Sequence, residues 1–225
     1  MKKFLLTLVL CCFALASGAL AAGQSSAGQA AAPSLDERLL NAAAEGDTAA
    51  VAQALAHGAH IDTQDAGGYT PLIAAVAAEQ QEVVKLLLDK GASVVLRDND
   101  GKTALHWAAM AGNLEIAKLL LDKNAPVNAK NGGGVTPLRC SVISHNLELV
   151  NLLLDHGADV EARDARGFTS LMAASGGGLT DIVKTLLDHG AKANDKSDDG
   201  TTALSLAINF NHADIVELLR AKGAQ

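Results

Sequence analysis

Thr103-Ala104-Leu105-His106-Trp107-Ala108-Ala109, at residues 103–109, and Asn113-Leu114-Glu115-Ile116-Ala117-Lys118-Leu119-Leu120-Leu121, at residues 113–121, decide how this chain folds. The first segment opens a short helix behind Thr103. In the second, Leu114, Ala117, Leu120 and Leu121 fall on one stripe at helical spacing, so a second helix with one apolar face follows the first. That helix ends before Asn124, and the matching positions elsewhere are Gly58, Gly91, Gly157, Gly190 and Gly223. Gly takes the left-handed conformation that closes a helix more readily than any other residue, and Asn comes next. The residue just before is His57, Lys90, Lys123, His156, His189 or Lys222. Each can place positive charge at the negative end of the helix dipole.

Working outward from this unit, the chain repeats itself. Leu39, Leu72, Leu105, Leu138, Leu171 and Leu204 are 33 residues apart, as are Ala59, Ala92, Ala125, Ala158, Ala191 and Ala224. The rows starting at Gly68 and at Thr70 keep the same period. A fixed period of this size signals a solenoid, in which each unit buries its faces against its neighbours. Each ladder Leu then contributes roughly 1.5–3 kcal/mol when buried. Composition agrees: aromatic residues make up only 3% of the chain, so the core must be filled by Leu, Ile, Val and Ala in thin layers.

Thr70-Pro71-Leu72, Thr136-Pro137-Leu138 and the His-containing segment at 103–109 match the opening of one known repeat, and Gly157-Ala158-Asp159-Val160 matches its ending. On these motifs the chain resembles an ankyrin-repeat protein over residues 34–225. It departs from the pattern at Ile73, Arg139, Met172 and Ser205, where the family has His, and at Ala104, Ser170 and Ala203, where it has Pro. The resemblance implies an all-α solenoid of about six helix-turn-helix repeats carrying short β-hairpin fingers. The repeats fall at about 34–64, 65–97, 98–130, 131–163, 164–196 and 197–225. It also implies a non-enzymatic function, the binding of another protein by hairpin tips and by the concave face of the first helices. Tyr69, Lys102, Val135 and Phe168 occupy the slot after each finger Gly, and Met110, Ile143 and Phe210 end first helices. These are the candidate partner-binding residues, because aromatic side chains and Met are favoured at interface centres. The alternative is that the slot residues pack on the neighbouring finger. Trp107 shares a register with Cys140 and is expected in the core.

Ahead of the repeats, Met1-Lys2-Lys3 and the apolar run Phe4 to Ala16 read as an export signal, with Ala19-Leu20-Ala21 as the cleavage site. Residues 1–21 would be removed, and residues 22–33, AGQSSAGQAAAP, form a flexible linker. An uncleaved anchor, or a lipid on Cys11 or Cys12, is the rival reading. Cleavage leaves a periplasmic or secreted protein without a membrane segment, with 16 basic against 25 acidic residues and Cys140 as its one thiol. A net charge of −9 argues against a nucleic-acid partner. One cysteine rules out an internal disulfide. Some exported bacterial ankyrin proteins are similar in layout and protect the cell, by neutralising a toxic enzyme or by supporting a catalase in peroxide resistance.

The residues offer little catalytic chemistry. No His pair or Cys pair stands at metal-ligand spacing, so the histidines before the helix-ending positions read as helix caps and His106 as a structural hydrogen-bonding group. Gly101-Lys102-Thr103 resembles the tail of a phosphate-binding loop, but position 96, where that motif needs Gly, is Leu96. Gly176-Gly177-Gly178 loosens a turn between helices. Cys140 is the one candidate nucleophile of a thiol enzyme; it has Arg139 beside it, no identifiable base, and a register otherwise held by packing residues. No catalytic residue, metal or cofactor is expected. Ser34-Leu35-Asp36-Glu37 reads as a capping box, and Glu217, Arg220 and Lys222 polarise the last helix, so the ends are expected to be capped and the protein a monomer.

Overall fold

The computed structural model describes residues 32–225; the expected export signal at 1–21 and the expected linker up to residue 31 lie outside them. The described residues form six antiparallel helix pairs: α1 (Leu35–Glu45) and α2 (Thr48–Ala56), α3 (Pro71–Ala77) and α4 (Gln81–Asp89), α5 (Ala104–Ala111) and α6 (Leu114–Asp122), α7 (Pro137–Ile143) and α8 (Leu147–Asp155), α9 (Ser170–Gly176) and α10 (Thr180–Asp188), and α11 (Ala203–Asn209) and α12 (Ala213–Ala221). The threonine row starts most first helices: Thr70, Thr136, Thr169 and Thr202 each accept from the amide three residues on. Pro71 and Pro137 stand at the first turn, where a missing amide costs nothing. At the amino-terminal end Ser34 and Glu37 form the expected capping box.

Two rows of left-handed residues punctuate each pair. The row after the second helix is glycine except for Asn124, with φ of 60°. His57, His156 and His189, one residue earlier, each place ring Nδ1 against the carbonyl four residues back, closing the helix end. A second row lies between the two helices: Gly46, Glu79, Gly112, His145, Gly178 and Asn211 all have positive φ. Gly178 therefore meets a requirement that every repeat has, and Glu79 and His145 meet it under strain.

The fingers are less strand-like than expected. Among the described residues the only β-bridge joins Lys196 and Thr202. In the other fingers a side chain reinforces the turn. Asp65, Asp98, Asn131 and Asp164 each accept from the amides two and four residues on. Each finger is closed by that side-chain oxygen together with one backbone bond, from the amide of Asp65, Asp98, Asn131 or Asp164 to the carbonyl four residues on, and the amides of Asn99, Gly132, Ala165 and Asp198 donate to a carbonyl of the preceding finger. In the last finger Ser197 replaces the acid, and Asp199 accepts from the Ser197 hydroxyl and the Thr201 amide. Those bonds, the Ser197 hydroxyl foremost, hold the Asp199 carboxyl at about 2.

Successive fingers are tied by a relay. Gln64 donates to the Arg97 carbonyl, Arg97 to that of Lys130, Lys130 to that of Arg163, and Arg163 to that of Lys196. A second row of acceptors captures the amide that follows each helix-ending Gly-Ala: Asp62 takes Ser93, Asn128 takes Asp159, Glu161 takes Lys192 and Asn194 takes Gln225. The row breaks once. Position 126 is Pro, which has no amide to give, and its would-be acceptor is Val95.

Between the pairs the first helices meet through Ala42, Ala75, Ala108, Ser141, Ala174 and Ala207, all buried. The second helices meet through larger side chains, among them Val84, Leu87, Leu120, Val150, Leu153, Val183 and Leu186. Small residues let backbones approach closely, and consecutive first helices are in closer contact than consecutive second helices. The stack therefore curves with the first helices inside. Its far end is only half capped: Glu217 and Arg220 are exposed as expected, yet Ile208 is 47% exposed.

The strained turn makes a prediction. His145→Gly should raise stability by up to about 1 kcal/mol and Gly112→Ala should lower it by about the same amount, read as opposite shifts of the urea midpoint. A Cβ at Gly112 would meet nothing nearer than 3.5 Å, so the loss would be conformational.

Candidate functional site

The concave face is built from the finger slots and the ends of the first helices. The slot residue follows the finger turn and precedes the buried Thr cap, so its side chain lies over the neighbouring helix. Tyr69 is half-buried with its ring 5.5 Å from that of Trp107. The Trp107 indole donates to Asp98 Oδ2 at 2.9 Å. The Lys102 ammonium sits 5.0 Å from the centre of the Trp107 ring and pairs with Asp100 at 2.6 Å. Its hydrogen bond and charge hold the Asp100 carboxyl below the usual range. Lys102 is thus committed to its own finger, which also removes it from any phosphate-binding role. Trp107, expected in the core, lies half-buried at the heart of this cluster.

A second cluster surrounds Phe168, whose ring lies 5.6 Å from the Arg139 guanidinium and 5.9 Å from that of Arg166. Arg139 pairs with Asp164 at 2.8 Å, with both side chains nearly buried, and donates to the Phe168 carbonyl. Burial works to raise the Asp164 carboxyl; the Phe168 and Arg166 amides and Arg139 outweigh it, and its pKa lies below the usual value. Val135 is half-buried and its carbonyl receives the His106 ring. Tyr69, Val135 and Phe168 therefore pack on the scaffold while presenting one edge to solvent. Met110 is half-buried against the core. Ile143 and Phe210 differ in kind: at 61% and 59% exposure they are large apolar side chains standing in water.

His106 and Arg139 occupy the same register and do the same job by different chemistry. His106 Nδ1 accepts from the Thr103 amide, which leaves Nε2–H to donate to the Val135 carbonyl at 3.0 Å. Burial lowers the pKa of this ring and keeps it neutral. In the next repeat Arg139 reaches the Phe168 carbonyl instead and needs Asp164 as counter-charge. Sequence reading passed over Arg139 as a departure from a motif; its signal was a cation at a normally neutral buried position, 25 residues before an acid on the neighbouring finger. Cys140 is buried, and burial pushes its thiol up to about 11, so at neutral pH it carries its proton and is a poor nucleophile. Among the described residues no three His, Cys, Asp or Glu side chains gather as a metal site.

Tight turns, a small-residue joint and capped helix pairs at one period are what the ankyrin pattern demands, and the family described as ankyrin repeats (3 copies) matches residues 31–98, 96–164 and 140–225. The chain belongs to the ankyrin-repeat family. No curated protein matches it. Ankyrin repeats act in protein–protein binding.

Two predictions test the site. Cys140 should resist a thiol reagent in the native protein and react at once in denaturant. Because the folded pKa of His106 is lowered, its contribution to stability is complete above the unfolded value of about 6.5 and is lost as pH falls below it. Urea midpoints at pH above and below that value should differ, and the difference should shrink in His106→Gln.

Proposed function

We propose that this protein is a non-enzymatic binding module, exported to the periplasm or released beyond it, that holds another protein along its concave face. The observation that carries the reading is Ile143: a large aliphatic side chain, 61% exposed, in the middle of the face that this family uses for recognition. Exposing it costs hydration free energy that a polar residue would not cost, and nothing in the repeat architecture requires it there. On its finger side the slot residues offer aromatic edges already held in place by Trp107, Arg139 and Arg166. Such preset groups lose little entropy on binding. Export rests on the charge pattern, apolar run and small-residue cleavage site at residues 1–21.

The slot aromatics also support the fold, so the sharper test uses the exposed residue. The tagged chain is expressed with its own leader and recovered from a periplasmic extract, and captured proteins are identified by mass. The mature mass should begin at residue 22. Ile143→Asp should weaken capture of the principal partner roughly 30-fold, equivalent to about 2 kcal/mol for one central contact, with an unchanged thermal melt. Lys118→Asp, on an outer helix, should leave capture intact. Equal capture by wild type and Ile143→Asp would reject this face, and an unprocessed chain retained in the cytoplasm would reject export.

A further inference from the structure

The carboxy-terminal end of the stack carries a feature that partner capture on the concave face does not use. Ala207, Ile208, Asn211, His212, Ala213, Val216, Glu217 and Arg220 line an open groove of about 520 Å³ between α11 and α12. At the internal joints the register of Ile208 is held by Val76, Ala109, Val142 and Ser175, each buried under the next repeat. The last repeat keeps an aliphatic side chain there, larger than any of the four, and leaves it 47% exposed. The register of Arg220 is Leu88, Leu121, Leu154 and Leu187 in the internal repeats. The face is thus apolar along its inner helix and charged along its outer one, with an acid and a base three residues apart.

That combination is self-complementary. When a surface meets its own copy across a two-fold axis, each residue i faces j and each j faces i. Glu217 of one copy can meet Arg220 of the other, and the reverse, on either side of a centre formed by Ile208 and Val216. The charge distribution favours the same arrangement. Residues 34–80 hold seven acidic residues and one basic, a net −6, whereas residues 81–225 together carry −3. Joining the carboxy-terminal faces places the two acidic ends as far apart as the molecule allows. Stacking amino-terminal faces would bring them together, and there Leu35, 38% exposed, is flanked by polar Arg38, Asn41, Glu45 and Gln53. We propose that this face pairs with the same face of a second copy, giving a closed tail-to-tail dimer with two concave faces free. The polar ends that pointed to a monomer are then a true cap at one end and a specific contact at the other.

Sedimentation equilibrium on protein purified from cells expressing the whole chain tests this. Wild type should double its mass as concentration rises. Ile208→Glu should remain monomeric throughout. Glu217→Arg and Arg220→Glu should each associate roughly tenfold more weakly or worse, and an equimolar mixture of the two should associate again, because every cross-pair is then of opposite sign. Thermal melts of all variants should match wild type at concentrations where wild type is monomeric, and Ile143→Asp should dimerise as wild type does, which separates this surface from the capture surface. A wild type that stays monomeric at every concentration, a dimer that survives Ile208→Glu, or a mixture no tighter than its components would each overturn the proposal.

Discussion

How closely one first helix can approach the next is limited by a single row of side chains: Ala42, Ala75, Ala108, Ser141, Ala174 and Ala207. A larger residue anywhere in that row would force apart a joint with no void to absorb it, since interiors are packed to crystal density. Because the outer joint is set by Leu and Val and the inner one by Ala, the two faces of the stack differ in width, and curvature follows. The short first helices follow as well. Side chains two or three places beyond the small row, Met110 and Ile143 among them, have no helix to bury against and emerge on the concave face. Recognition and stacking are therefore consequences of the same choice of residue size.

With six aromatic residues in the whole chain and Cys140 as the one thiol after residue 12, little else can hold the layers. The aliphatic ladders supply most of the burial. Polar rows then fix the fingers, which bury too little to order themselves. The Gln64–Arg97–Lys130–Arg163 relay ties long polar and cationic side chains to backbone carbonyls of the next finger.

The period and the helix pairs were legible because a buried Leu every 33 residues, a cap at one end and a left-handed residue at the other are local demands that each repeat must meet. The finger turns were legible from their Gly, but the Asp or Asn that accepts two amides in them was not, because only its spacing to that Gly shows it. The slot residues were half legible. Tyr69 and Phe168 stand in the slots the sequence singled out, but Trp107 and Arg139, which hold them, belong to registers filled in the other repeats after the first by Ala, Cys and Leu and by Ile, His, Met and Ser. The row of left-handed turn residues escaped notice because Glu79 and His145 conceal a requirement that Gly46, Gly112 and Gly178 reveal. Ile143 and Phe210 were readable as apolar residues at helix ends, but their exposure depends on curvature, which no single repeat specifies.

A chain of near-identical repeats has a further problem: the aliphatic ladder alone would let one repeat stack on the wrong neighbour at almost no cost. The buried polar groups remove that degeneracy, because they differ from joint to joint. Arg139 needs an acid on the following finger, and Asp164 is there; the same position one repeat earlier is Asn131, which would leave the guanidinium without a counter-charge. An unsatisfied buried polar group costs more than a satisfied one contributes, so each mismatch penalises the wrong order more than each match favours the right one. The departures from the repeat pattern thus set the order of the repeats, while the repeat pattern itself sets their shape.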